Sequence, residues 1–223
     1  MKNYYMLIAS LPALPTRFDG GVNPITRSTL SRRLQTLDED DDRTIVQLAD
    51  FFRWDRQPID RSDGEVMTTF RKISSAIGNP LVRRVVNHRF EMRCLVAATR
   101  CKRDDLACPE LPDLPVSPII KRQWDQPHFG LASQYPWLVR FTDALDKQQP
   151  REAQHVLFDE LWSVWSRLNQ RYHFAFESIV LYLARWEILD RWASQNEAIG
   201  RERFDGLVDR VISRNASSNP ITA

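Results

Sequence analysis

The fold class of this chain is decided by residues 81–105, LVRRVVNHRFEMRCLVAATRCKRDD. Apolar side chains recur there at helical spacing over several turns, which predicts one long amphipathic helix whose opposite side is basic. We interpret His88, on the apolar side, as a hydrogen-bonded core residue rather than a ligand. The apolar stripe comprises Leu81, Val85, His88, Met92, Leu95 and Val96.

The composition extends this prediction to the whole chain. Glycine is scarce, at 7 of 223 residues, and charged residues make up 27%, a balance that suits long helices better than a turn-rich β-fold. The hydrophobic content of 43% allows a core without metal or disulfide support. We therefore predict an all-α fold, a multi-helix bundle in two helical halves.

Capping signals set the bounds of the other predicted helices. Ser28 is a candidate N-cap, and the acidic run at residues 38–42 favours the positive end of the next helix over a calcium loop, which would interleave its ligands with glycine. Ser62 and Glu65 form a capping box for a third helix, which Gly78 ends. Further helices are predicted over residues 137–147, 150–170, 174–197 and 201–214.

Prolines divide the chain into its predicted parts. Five prolines between residues 109 and 127 disfavour a continuous helix and favour extended backbone. We interpret residues 109–136 as a linker, with a ligand for a proline-recognising domain as the alternative. This linker separates an N-terminal helical half, residues 1–108, from a C-terminal helical bundle, residues 137–214. Residues 215–223 are predicted to form a frayed tail.

Signals for export, membrane insertion or metal binding are weak. The opening run is interrupted by polar residues and Pro12, so we interpret it as mature protein, with helix or strand left open. No stretch reaches the roughly 18 uncharged apolar residues of a membrane span. Cys94, Cys101 and Cys108 lie seven residues apart without a C-x-x-C pair, which indicates reduced structural thiols rather than a metal or redox site.

The sequence contains no motif for catalysis or cofactor binding. A Gly-rich phosphate loop, a nucleophile elbow and a metalloprotease helix motif are all missing from it. The four histidines lack the paired spacing of a zinc or di-iron site. We expect no enzymatic activity, catalytic residue, cofactor, metal or small-molecule substrate. An enzyme would need a buried His or Cys site assembled from distant residues.

Basic residues concentrate on the long predicted helix, where Glu91 is the only acid between residues 83 and 103. Arg89, Arg93 and Arg100 align along one stripe. An ordinary solvated face with ion pairs is one interpretation, and docking onto an acidic protein surface or a nucleic acid is the other. The candidate protein-contact residues are Arg89, Arg93, Arg100 and Arg103.

Tryptophan is abundant in the predicted C-terminal bundle. The indoles of that bundle are predicted to form one aromatic core, with interface anchors as the alternative, because Trp is frequent at binding hot spots. The residues concerned are Trp162, Trp165, Trp186 and Trp192.

Three short stretches carry a family resemblance. They are YYMLIASLP at residues 4–12, Phe129-Gly130-Leu131 with Pro136-Trp137, and a closing stretch at residues 176–192 with Phe176-Glu177, Tyr182, Glu187-Ile188-Leu189 and Arg191-Trp192. Together they resemble an uncharacterised bacterial family whose genes typically lie among those of V-type ATP synthases. A weaker likeness connects residues 87–100 and 182–212 to the C subunit of V/A-type rotary ATPases, named the d subunit in eukaryotes.

This resemblance implies a non-catalytic subunit or accessory protein of a rotary ATPase. The C subunit is an all-helical, funnel-like adaptor that seats the central shaft on the membrane rotor ring, so the likeness implies those two partners and leaves internal helical repeats open. The chain would be cytoplasmic and held at the inner face of the cell membrane through its partners. The alternative, a helical nucleic-acid-binding or regulatory protein using residues 83–103, is disfavoured by a net charge of only +2.

Overall fold

The structure, a computed structural model, describes residues 4–20, 23–52 and 62–194. Within these ranges it contains nine α-helices and no β-strand, which confirms the all-α prediction. The opening run forms the first helix, whereas the predicted helix at 201–214 and the predicted tail lie outside the described residues. The helices are α1 (Tyr5–Ser10), α2 (Arg27–Leu34), α3 (Glu39–Phe52), α4 (Asp63–Ala76), α5 (Pro80–Arg103), α6 (Ser117–Arg122), α7 (Pro136–Asp146), α8 (Pro150–Asn169) and α9 (Phe176–Ala193).

Local capping chemistry explains where several helices begin. The predicted capping box of α4 is confirmed, because the Ser62 N–H donates to Glu65 Oε2 over 2.8 Å and the Ser62 side chain accepts from the Glu65 N–H. The acidic first turn of α3 is also confirmed. The prediction of Ser28 as an N-cap was wrong. Thr26 caps α2, since its hydroxyl accepts from the Thr29 N–H and Ser28 already lies inside the helix.

The start of α5 is fixed both locally and across the fold. The Asn79 Oδ1 atom accepts hydrogen bonds from the N–H groups of Leu81 and Val82, at 3.0 and 3.2 Å. The Asn79 Nδ2 atom donates to Glu177 Oε1 in the first turn of α9, over 2.8 Å. One side chain therefore caps α5 and joins it to α9.

The proline-rich segment contains more regular structure than the sequence predicts. Helix α6 lies inside residues 109–136 and carries Pro118 in its first turn, where a missing N–H costs no hydrogen bond. A short turn follows at Pro127–Gly130. Hydrophobic side chains of the segment are buried, so it packs onto the core. They are Leu111, Leu114, Val116, Ile120, Phe129 and Leu131.

One hydrophobic core joins the two predicted halves. Helices α7, α8 and α9 pack against one another in sequence order, and α5 contacts α4, α6, α7 and α9. Val82, Leu95, Leu138 and Ile179 are fully buried in this core. The division into two halves and the internal repeats both stay predictions.

The tryptophans occupy two clusters rather than the single one predicted. Trp162 and Trp165 belong to the main core, and Trp192 packs against it. Trp186 lies in a smaller cluster that includes Leu30 of α2, and its indole N–H donates to the Ile25 carbonyl over 2.9 Å. The prediction was wrong here because α2, distant in sequence, supplies a separate apolar surface.

Hydrogen bonds connect the N-terminal segment to the C-terminal helices. The Tyr4 N–H donates to the Phe174 carbonyl over 2.7 Å, and the Tyr182 hydroxyl donates to the Pro12 carbonyl over 3.0 Å. Asp19 pairs with His155 of α8 at 3.0 Å. The first and last described parts of the chain therefore lie together.

Candidate functional site

The basic residues of α5 serve several purposes and do not form one solvated stripe. The guanidinium of Arg83 donates to the Ile77 carbonyl over 2.8 Å. The Lys102 ammonium donates to the carbonyls of Trp124 and Gln126, at 2.6 and 2.7 Å, and ties that segment to α5. These two cations stabilise the fold, which leaves the other arginines of α5 as candidates for binding.

Three of the four predicted contact residues line one cavity, which we call the arginine groove. Arg89, Arg93 and Arg100 lie along its α5 side, and Arg191 of α9 joins them. The groove has a volume of about 400 Å³. The separation of Arg89 from Arg100 corresponds to a length of about 16 Å along the helix axis. The sequence predicted that the first three lie together, but it gave no indication that Arg191 joins them.

Apart from Gln154, the remaining wall of the arginine groove is apolar. It comes from α5, α7 and α8, and the described residues that line the groove include no acid. This arrangement suits a partner segment with an apolar side and an acidic side. The apolar members are Met92, Val96, Phe141, Leu145, Pro150, Ala153, Leu157, Phe158 and Leu161.

Arg89 is the most deeply placed charge of the groove, with 8% of its surface exposed. Burial lowers its pKa from 12.5 to about 9, and the neighbouring charges of Arg191 and Arg93 act in the same direction, while Glu187 opposes them. The guanidinium therefore stays protonated at neutral pH. Its position corrects the predicted geometry, because the basic stripe was expected on the side of α5 opposite Met92 and Val96 and instead lines the same groove as they do.

Arg103 lies apart from the other three predicted contact residues. It does not line the groove, and its Nε atom donates to the Asp104 carboxylate over 2.8 Å on the protein surface. That carboxylate raises the pKa of Arg103. Whether any of the four arginines contacts a partner stays a prediction.

A second cavity, the His88 cavity, lies beside the N-terminal half of α5. Its lining includes Arg84 and His88 of α5 with residues of α8. The expectation of a hydrogen-bonded core histidine was wrong for one ring atom. His88 Nδ1 is buried and has no hydrogen-bond partner in the part of the chain that the structure describes.

The thiols are poor nucleophiles at neutral pH. Burial raises the pKa of Cys94 to about 12, and burial also raises the pKa of Cys101 and of Cys108. All three are free thiols. Low thiolate content agrees with structural rather than reactive cysteines.

Residues 4–20, 23–52 and 62–194 contain neither a cluster of metal-ligating side chains nor a helix suited to cross a membrane. No group of three or more His, Cys, Asp and Glu side chains is placed there to hold a metal ion. None of the helices in these ranges combines the length and apolar character needed to cross a bilayer.

Comparisons with protein-family models, curated proteins and solved structures give no match to this chain. The resemblance of the three short stretches therefore stays a prediction. The candidate sites rest on the geometry of the two arginine-lined cavities.

Proposed function

We propose that this chain is a non-catalytic subunit or accessory protein of a bacterial V-type rotary ATPase. In this proposal it is an adaptor, similar to the C subunit, between the central shaft and the membrane rotor ring. It would be cytoplasmic and held at the inner face of the cell membrane by those partners. The arginine groove would be its docking surface for an acidic segment of one of these partners.

The observation that carries the proposal is the packing of two of the resembling stretches. The opening stretch contains Pro12 and the closing stretch contains Tyr182, and these residues are joined by a hydrogen bond although 170 positions separate them. Side chains of both stretches also border one cavity, including Ile8, Leu11 and Tyr182. The two stretches therefore belong to one packed unit, as parts of a single inherited structure would.

The charge of the arginine groove supports the docking role. Four arginines around an apolar wall provide forked donors for carboxylates and a hydrophobic surface for the rest of a segment. A charge-complementary partner would remove the repulsion between Arg89, Arg93 and Arg191. An adaptor of this kind requires no bond chemistry.

The test is to purify the tagged protein gently from solubilised membranes of its native host and identify co-purifying proteins by mass spectrometry. We expect shaft and rotor-ring proteins at near-stoichiometric amounts. The double substitution Arg93→Glu/Arg100→Glu should reduce their recovery about tenfold or more, because it reverses two groove charges. Circular dichroism should show an unchanged helical fold.

Arg103→Glu is the matched control, since it reverses a charge on the same helix outside the groove. It should leave the recovery of partners unchanged. Recovery of the protein alone, or with nucleic acid whose binding falls steeply with salt, would overturn the proposal. Equal losses with the control would reject the groove as the docking surface.

A further inference from the structure

The His88 cavity is bounded by three parts of the fold. It has a volume of about 400 Å³ and lies between α5, α8 and the segment that precedes α7. Polar side chains reach it from each of these parts, so distant regions of the sequence form one site. These side chains are Arg84, His88, Gln134, Tyr135, Glu160, Arg167 and Arg171.

Positive charge exceeds negative charge around this cavity. Arg84, Arg167 and Arg171 face a single lining carboxyl, that of Glu160. Burial raises the pKa of Glu160, and the nearby charges of Arg167 and Arg140 act in the opposite direction. The charge of Arg167 interacts with that of Glu160, so the lining keeps an excess of two positive charges, three arginines against one carboxyl. A bound anion would remove their mutual repulsion.

His88 is a second and independent indication of a ligand. Its Nδ1 atom is buried without a hydrogen-bond partner among the described residues, which is costly for a polar atom. Burial, reinforced by the charges of Arg84 and Arg167, lowers its pKa to about 4. An anion bound between Arg84 and Arg167 would offset their charge at the ring and favour its protonated form.

We propose that the His88 cavity binds the phosphate group of a small organic phosphate. Forked guanidinium groups bind phosphate oxygens in pairs, and a dianion matches several arginines better than a monoanion does. The volume exceeds the size of a free phosphate, and Val164, backed by the buried side chains of Val85 and Trp165, makes part of the lining apolar. This site is separate from the arginine groove and does not depend on the proposed function.

The test titrates the full-length protein with phenyl phosphate, inorganic phosphate and benzoate. Calorimetry measures affinity, and NMR of labelled histidine follows the ionisation of His88, whose signal is assigned with His88→Gln. Phenyl phosphate should bind about tenfold or more tightly than benzoate, which has one negative charge and the same ring. It should also raise the pKa of His88, which binding elsewhere would not do.

Two exposed arginines of the cavity provide the decisive variant. Arg84→Gln/Arg171→Gln should weaken phenyl phosphate binding about tenfold or more, whereas Arg122→Gln on α6 should have no effect. Inorganic phosphate binding as tightly as phenyl phosphate would assign the site to free phosphate and reject the organic ligand. Absence of saturable binding, equal affinity for benzoate, or unchanged affinity in the double variant would overturn the proposal.

Discussion

The arginine groove and the His88 cavity lie on the same helix and place the same residue type against different walls. In the groove, Arg89 and Arg93 lie among apolar residues such as Phe141. In the cavity, Arg84 and His88 belong to a lining that is mainly polar or charged, and apolar side chains form only part of the wall. An apolar wall suits a peptide segment, and a polar wall suits a small anion. The opposite wall, and not the arginine, decides which partner fits.

The two sites also differ in how deeply they place charge. Arg89 is almost fully buried, and its lowered pKa reports that the folded protein disfavours its charge. Arg84 is exposed and lies near the His88 ring, whose pKa is lowered instead. At neutral pH, Arg89 in the groove is therefore protonated and charged, whereas His88 in the cavity is neutral.

The largest expected effect is on the free energy of unfolding, because part of the groove wall also belongs to the hydrophobic core. Phe141 lines the groove and is fully buried, so Phe141→Ala should lower the free energy of unfolding by about 3–5 kcal/mol. Urea denaturation measures this change. Val139→Ala, at an exposed position of the same helix, is the matched control and should change stability little. Similar effects of both substitutions would show that the groove wall is not part of the core.

The second expected effect is a pH dependence of the folding stability, and it comes from His88. The pKa of His88 is about 4 in the folded protein and 6.5 without burial, so the unfolded chain binds more protons between these values. Stability from the neutral ring is complete above pH 6.5 and is lost as the pH falls towards 4. The loss should reach roughly 3 kcal/mol.

His88→Gln isolates this contribution from the other groups that line the cavity. Glu160 and Tyr135, whose pKa values are raised by burial, are unchanged in the variant, as are Arg84 and Arg167. Urea unfolding from pH 7.5 to 4 in a phosphate-free buffer should show a smaller loss of stability for the variant than for the parent protein. Parallel pH profiles would mean that the folded protein tolerates a charged His88 and that the cavity is wetter than its geometry indicates.

The sequence predicted the local structure of α5 well because local signals control it. Periodicity indicated its extent, and Gly78, which ends the preceding helix, marked the boundary before it. Burial around the helix was harder to predict. Val82 and Val86 are fully buried although they lie outside the predicted apolar stripe, because α4, α6, α7 and α9 surround α5. With apolar contacts on several sides, α5 has no single solvated side on which all its arginines could lie.

Each site also contains arginines from outside α5, and no local sequence pattern indicates that they belong to it. Arg191 reaches the groove from α9, and Arg167 and Arg171 reach the His88 cavity from α8 and the turn after it. Each is an ordinary charged residue within its own helix or turn. Only tertiary packing brings them opposite α5, which is why the sequence indicated the α5 side of the groove and, in the His88 cavity, only a histidine interpreted as a core residue.

The smallest effect is expected from a substitution of Arg103, which tests where the docking surface ends along α5. Arg103→Gln should leave the urea midpoint unchanged, because the residue is exposed and its ion pair with Asp104 is screened by solvent. Arg100→Gln, three residues earlier, removes a charge that lines the groove and should weaken partner recovery while Arg103→Gln does not. Equal weakening by both would extend the docking surface along α5 to its C-terminal end, and the apolar wall would then no longer define where a partner binds.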